Sequence, residues 1–166
     1  MMLKQKIKDN LSESLKNKDE LTRSVLRLVL SAILNKEKEK IYKISQEEAE
    51  LNEQEIVKKS NLTDEEVLEI IFSEAKKVKE SILEFEKGGR NDLVEKEKKD
   101  LEILQRYLPK QMSSDEIEQI VKIAVEKVGA SEIKDMGKVM AEIMPKIKGK
   151  ADGNKVNRIV RELLNK

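Results

Sequence analysis

The chain has 166 residues, of which 40% are charged and 38% hydrophobic, and its 34 Lys and Arg nearly balance 33 Asp and Glu. That length supports a core in one or two small domains, and a net charge of +1 excludes a polyelectrolyte binder acting with its whole surface. The absence of Cys and His excludes disulfides, thiolate chemistry and Cys-based metal sites, and removes the commonest general base and metal ligand.

Lys and Glu, both good helix formers, dominate the charged residues, while only six Gly and two Pro interrupt the chain. The longest apolar run, Val25 to Leu34, is broken by Arg27 and is too short to span a bilayer. Lys4, Lys6 and Lys8 precede no apolar stretch of the signal-peptide kind. The cytoplasm is therefore the expected compartment, and no membrane association is expected.

In chain order, Leu3, Ile7, Leu11 and Leu15 mark one helical stripe. Asp19 is placed to cap a second helix whose face carries Val25, Leu28, Val29, Ala32 and Ile33, widened by Leu26, Leu30 and Leu34. From residue 36 to residue 61 periodicity weakens, which predicts a polar, flexible connection with a short polar helix, or a disordered segment. Thr63 with Glu66 forms a capping box that opens a long helix lined by Val67, Ile70, Ile71, Val78, Ile82 and Phe85, and Gly88-Gly89 ends it. A further helix starts near Asn91, turns Val94, Leu101, Leu104 and Leu108 inward, and stops at Pro109.

Lys110 to Ser113 reads as a hinge, after which Ser113 and Glu116 form a second capping box. Ile117, Ile120, Val121, Ala124, Val125 and Val128 follow helical spacing to Gly129. Ser131 or Asp135 caps a short helix through Met136, Val139, Met140 and Ile143 that Pro145 should end; a last helix follows Asp152. The expected architecture is all-α: an N-terminal bundle of long helices over residues 1–109 and a small three-helix domain over 110–166. Without sustained heptads, a coiled-coil rod is not expected.

Two segments stand out, Asp135-Met136-Gly137-Lys138-Val139-Met140 and Lys146-Ile147-Lys148-Gly149-Lys150-Ala151-Asp152-Gly153. They resemble the "DMGKVM" helix and "KGKADG" loop of the GatB/YqeY family, and are similar to the tail domain of the B subunit of aspartyl/glutamyl-tRNA amidotransferase. Leu15-Lys16-Asn17-Lys18-Asp19, Leu26-Arg27, Gly89-Arg90-Asn91-Asp92-Leu93 and Tyr107-Leu108-Pro109 resemble that family's "MKAKD", "LR", "GRxDL" and "YLP" in the same order. The stretch 36–61 matches poorly. The resemblance implies contact with tRNA, or association with an aminoacyl-tRNA amidotransferase or synthetase. It also carries the label of carbon–nitrogen ligation with glutamine as amide donor.

Charge segregation points to the same end. Between Met144 and Lys166 stand seven basic residues, Lys146, Lys148, Lys150, Lys155, Arg158, Arg161 and Lys166, against the two acids Asp152 and Glu162. Lys138, Lys146, Lys148, Lys150, Lys155 and Arg158 are the candidate RNA-binding residues, with Gly149 and Gly153 permitting a close backbone approach. The competing reading makes Asp152 a helix cap, the two glycines a turn, and Lys138 a solvated side chain. Gly137 is expected to permit close helix packing. Met136, Met140 and Met144 form either a core stripe or an adaptable partner surface, the latter fitting a protein-interaction adaptor that binds no RNA. Arg90 with Asp92 is expected to hold an interhelix turn, and Arg23 and Arg27 to make structural pairs.

No phosphate loop, calcium loop or activated serine is recognisable, so no catalytic residue, cofactor or metal is expected. Any amide transfer would need partner subunits. With Tyr42, Phe72, Phe85 and Tyr107 as the full set of aromatics, no stacking platform for single strands exists, and a folded RNA read through its phosphates is the fitting target.

Overall fold

The computed structural model describes residues 2–165. Among them are eight α-helices, one 3-10 turn and no strand, so the chain is all-α. No helix among the described residues is long and apolar enough to cross a membrane. The chain divides into two compact units after Tyr107.

The first unit holds α1 (Leu3–Lys16), α2 (Glu20–Glu47), α3 (Glu53–Ser60), α4 (Asp64–Lys87) and α5 (Asn91–Gln105), and α2 packs against all four others. Its core gathers Ile7, Val25, Leu26, Val29, Ile33, Leu62, Val67, Ile71, Ala75, Ile82, Val94, Ile103 and Leu104. The four-residue spacing of α1 does not hold one face, because each step rotates by about 40° beyond a full turn. Ile7 is therefore buried, Leu15 is exposed, and Ser14 takes the inward position, its hydroxyl donating to the Leu11 carbonyl. The same drift leaves Leu28 and Leu34 of α2 exposed, against the expected wide apolar face, while Leu26 is fully buried.

The stretch 36–61 holds the expected short polar helix, α3, but most of the rest is a continuation of α2 rather than a flexible connection. Helix α2 runs unbroken through Glu47, and α3 follows after a short turn. Polar contacts made at a distance replace apolar periodicity there: Lys4 of α1 donates to Glu37, Lys40 donates to Glu66 of α4 at 2.9 Å, and Lys59 of α3 pairs with Glu48. Glu37 is almost fully buried, so its ion pair stands where an apolar residue would mark the stripe. The short helix α3 opens with its own capping box, Asn52 with Glu55.

The second unit contains α6 (Ser114–Val128), a 3-10 turn (Ile133–Asp135), α7 (Met136–Ile147) and α8 (Gly153–Leu164). Both expected capping boxes, at Thr63 and Ser113, are formed. Gly129 ends α6 with φ 63°, a left-handed conformation that an L side chain rarely adopts. Ile117, Val121, Ala124, Val139, Ile143, Ile147, Val156, Ile159, Val160 and Leu164 make one core, against which Met112, Met136 and Met140 also pack.

Pro145 does not end α7, which continues to Ile147. Near a helix end a proline forfeits a single N–H bond. The backbone N–H of Lys148 still donates to Met144 at 3.0 Å, and burial of Ile143 and Ile147 holds the last turn. Gly137 is exposed and a Cβ there would meet nothing within 4 Å, so it does not serve close helix packing.

Candidate nucleic-acid interface

Helix α8 is sharply divided. Val156, Ile159, Val160 and Leu164 are buried, and on the opposite side Asn154, Asn157, Arg158 and Arg161 line a shallow depression of about 310 Å³. The spacing i, i+3, i+4, i+7 is the reason: these four positions fall on one stripe of a helix with 3.6 residues per turn. Asp152 caps α8 by accepting from the Asn154 backbone N–H at 2.7 Å, so the helix N-terminus is already occupied. That agrees with the local reading of Asp152, and a Cβ at Gly153 would also have open space.

The loop before α8 is built from both ends. Gly149 takes φ 71°, and the backbone N–H groups of Lys150 and Ala151 donate to Ile147 at 2.9 and 3.1 Å. The expected hinge is tied down against this loop. Gln111 Nε2 donates to the carbonyls of Pro109 and Gly149 at 2.9 and 3.0 Å, and the Met112 N–H donates to the Lys150 carbonyl at 2.8 Å. The backbone of Lys150 is thus held while its side chain is exposed. Residues 106–113 are not α-helical, which separates α5 from α6.

The six candidate cations are not equivalent. Lys138 sits at the start of α7 and donates to Asp135 at 2.9 Å. Asp135 also accepts from the Ser131 N–H at 3.3 Å, and these contacts, that of Lys138 foremost, hold its carboxyl below the ordinary range. Asp135 therefore braces the loop before it rather than capping α7 with its side chain. Lys146, about 12 Å farther along α7, lies 3.4 Å from Glu142. Glu142 accepts first from Lys127 at 2.7 Å, and the lysine pair lowers its pKa. Arg158 lies 3.8 Å from Glu162, both exposed, a separation at which attraction in water is small. Lys148 is exposed and has an interaction of its own. Lys150 is exposed, Lys155 half-buried and Arg161 exposed, and none of these three has an ion pair among the described residues.

Sequence reasoning counted Arg161 in the charge excess but left it out of the site. Its spacing from Asn154 and Arg158 was the available signal. The methionine stripe splits: Met136 and Met140 join the core, and Met144 is exposed. Arg90 holds Asp92 through two bonds of 3.1 and 2.9 Å, and Arg23 pairs with Glu20 at 3.3 Å, whereas Arg27 is exposed without an ion pair among the described residues. Among the described residues no group of three or more Asp and Glu is placed to hold a metal ion.

Comparison with known proteins supports the family resemblance. Residues 35–164 match the model described as Yqey-like protein. The match runs through the stretch 36–61, which the motif reading had set apart as poorly matching. The chain is also 32% identical over 138 residues, 81% of its own length and 75% of the relative's, to Altered inheritance of mitochondria protein 41, mitochondrial, from Pyrenophora tritici-repentis. With its helical architecture and its "DMGKVM" and "KGKADG" segments inside the matched range, the chain belongs to the YqeY-like family.

Proposed function

We propose that the unit formed by α6 to α8 binds a folded RNA of the tRNA type through its phosphates, and that the protein is a non-catalytic accessory of tRNA amidation. The observation that carries this reading is the α8 stripe, where Arg158 and Arg161 share one depression with the amides of Asn154 and Asn157. Guanidinium groups and amides on one face suit phosphate and sugar oxygens, and Lys150 and Lys155 extend the positive field to either side of the cap. Lys146 and Lys148 add charge at the rim. Lys138, bonded to Asp135, is the weakest contributor. The resemblance to the amidotransferase tail supports tRNA as the RNA and an amidotransferase or synthetase as a protein partner. The proposed compartment is the cytoplasm, in keeping with the absence of Cys; the name of the Pyrenophora tritici-repentis relative includes "mitochondrial".

The test is a salt titration of tRNA binding to the full chain. Affinity should fall steeply with salt as condensed counterions are released, and each lost phosphate contact should lower the slope by about one unit. Arg158→Ala/Arg161→Ala and Lys146→Ala/Lys148→Ala/Lys150→Ala should both weaken binding with an unchanged melting temperature. Lys96→Ala/Lys98→Ala, on the mixed-charge helix α5, should bind as the parent does. If the parent fails to bind tRNA at low salt, or the α8 variant binds equally well, the RNA reading falls.

A further inference from the structure

A second feature lies wholly in the first unit. A cavity of about 290 Å³ opens beside α1, where Lys6, Asn10, Glu13 and Asn17 share one face, and is closed from the other side by Arg106 and Tyr107. Asn10 donates to the Tyr107 hydroxyl at 2.6 Å, which fixes the wall. Two segments singled out in the sequence, Leu15 to Asp19 and the tyrosine that begins Tyr107-Leu108-Pro109, meet there, although they are far apart in the chain. Between Asn17 and Asp19, Lys18 adopts φ 54°, the one left-handed non-glycine residue among those described. This is the turn that ends α1, with the Asp19 N–H donating to the Ser14 carbonyl at 3.0 Å and the Lys18 N–H to the Leu15 carbonyl at 3.4 Å.

Elsewhere some neighbouring charges close onto each other, as in Lys40–Glu66 or Lys127–Glu142. Here Lys6, Arg106 and Glu13 line one space, yet none of them has an ion pair among the described residues. Asp19, also on the lining, caps α2 by accepting from the N–H and hydroxyl of Thr22, and these bonds, with Arg106 nearby, hold its carboxyl below the ordinary range. Opposite charges that share a cavity without touching leave room for a molecule carrying both complementary groups. The volume lies at the lower limit for ligand sites and the lining is more polar than such sites usually are, which selects a small and strongly polar ligand.

We propose that this cavity binds a free amino acid, its carboxylate held by Arg106 and Lys6, its ammonium by Glu13, and the Asn17 amide serving as an adaptable contact. The site is independent of the α8 surface and does not rest on the RNA reading. A nucleotide exceeds the space, and a metal ion is disfavoured by the two cations at the rim.

The side-chain amide resonances of Asn10 and Asn17 report on the cavity directly. Each proteinogenic amino acid in turn is titrated into the ¹⁵N-labelled full chain, with acetate and methylammonium as single-charge controls. At least one amino acid should shift both amides saturably, and neither control should do so at matched concentration. Arg106→Gln and Glu13→Gln should each weaken binding about tenfold, the loss of one charge-assisted hydrogen bond. Arg158→Ala/Arg161→Ala should bind the amino acid as the parent does. No saturable shift from any amino acid, an equal shift from acetate, or parent-like binding by both cavity variants overturns the proposal; the parent-protein titration decides even where a variant fails to fold.

Discussion

The two units use their charge differently. In the first, long helices are joined by ion pairs between elements, Lys4–Glu37, Lys40–Glu66 and Lys59–Glu48, so charge helps hold helices to one another. In the second, Lys127 of α6 reaches Glu142 of α7, the pairs at Lys134, Lys138, Lys146 and Arg158 are local to one helix or turn, and α8 keeps Arg161 outward without an ion pair among the described residues. Placement decides which charges face a partner, since net charge is close to neutral across the chain. A surface cation already bonded to a neighbouring carboxylate must give up that contact to reach a phosphate, and one without such a contact need not.

The largest expected effect tests whether the units are separate. Leu26→Ala in the first core and Ile143→Ala in the second remove side chains that are fully buried. Each should destabilise its own unit by about 2–5 kcal/mol. Two-step thermal unfolding followed by circular dichroism and calorimetry should show each variant lowering a different step. A single transition lowered equally by both would merge the units into one cooperative body.

A smaller effect sharpens the comparison at the helix starts. Thr63→Ala and Ser113→Ala each remove a capping-box oxygen that accepts a backbone N–H at 3.2 Å. Each should cost about 1 kcal/mol, read as a lower midpoint in urea with an unchanged slope. Equal losses would show that capping is a local contribution, indifferent to the size of the core behind it.

An effect of similar size has the opposite sign. Asp100 of α5 has a buried oxygen without a hydrogen-bond partner, and burial pushes its carboxyl above the ordinary range. A carboxyl raised in the folded state binds its proton more tightly there than in the unfolded chain. Its contribution is therefore most favourable below the unfolded pKa and declines as pH rises through the folded value. Asp100→Ala should stabilise the first unit by about 1 kcal/mol at neutral pH, and the gain should shrink on acidification. Parent and variant urea melts at several pH values check this; a gain independent of pH would assign it to helix propensity alone. In the second unit, Glu116, Asp135 and Glu142 all titrate below the ordinary range. Their support is present above that range and is lost as pH falls through their lowered values, the opposite sense to Asp100.

Several elements were legible from residues alone because their determinants are local. The boxes at Thr63 and Ser113, the stops at Gly88-Gly89 and Gly129, and the inward stripe of α8 depend on neighbours within a turn or two. The box at Asn52 carried the same kind of local signal and was missed because its surroundings are polar. What only the tertiary structure decided depends on partners distant in sequence. Helix α2 continues past residue 36 because α1 and α4 supply Lys4 and Glu66 to its charged residues. The loop at Gly149 is held by Gln111 and Met112, and the cavity beside α1 forms because Tyr107 returns to meet Asn10. Periodicity records which side of a helix avoids water, whereas the identity of the residue waiting on that side is a property of the folded chain.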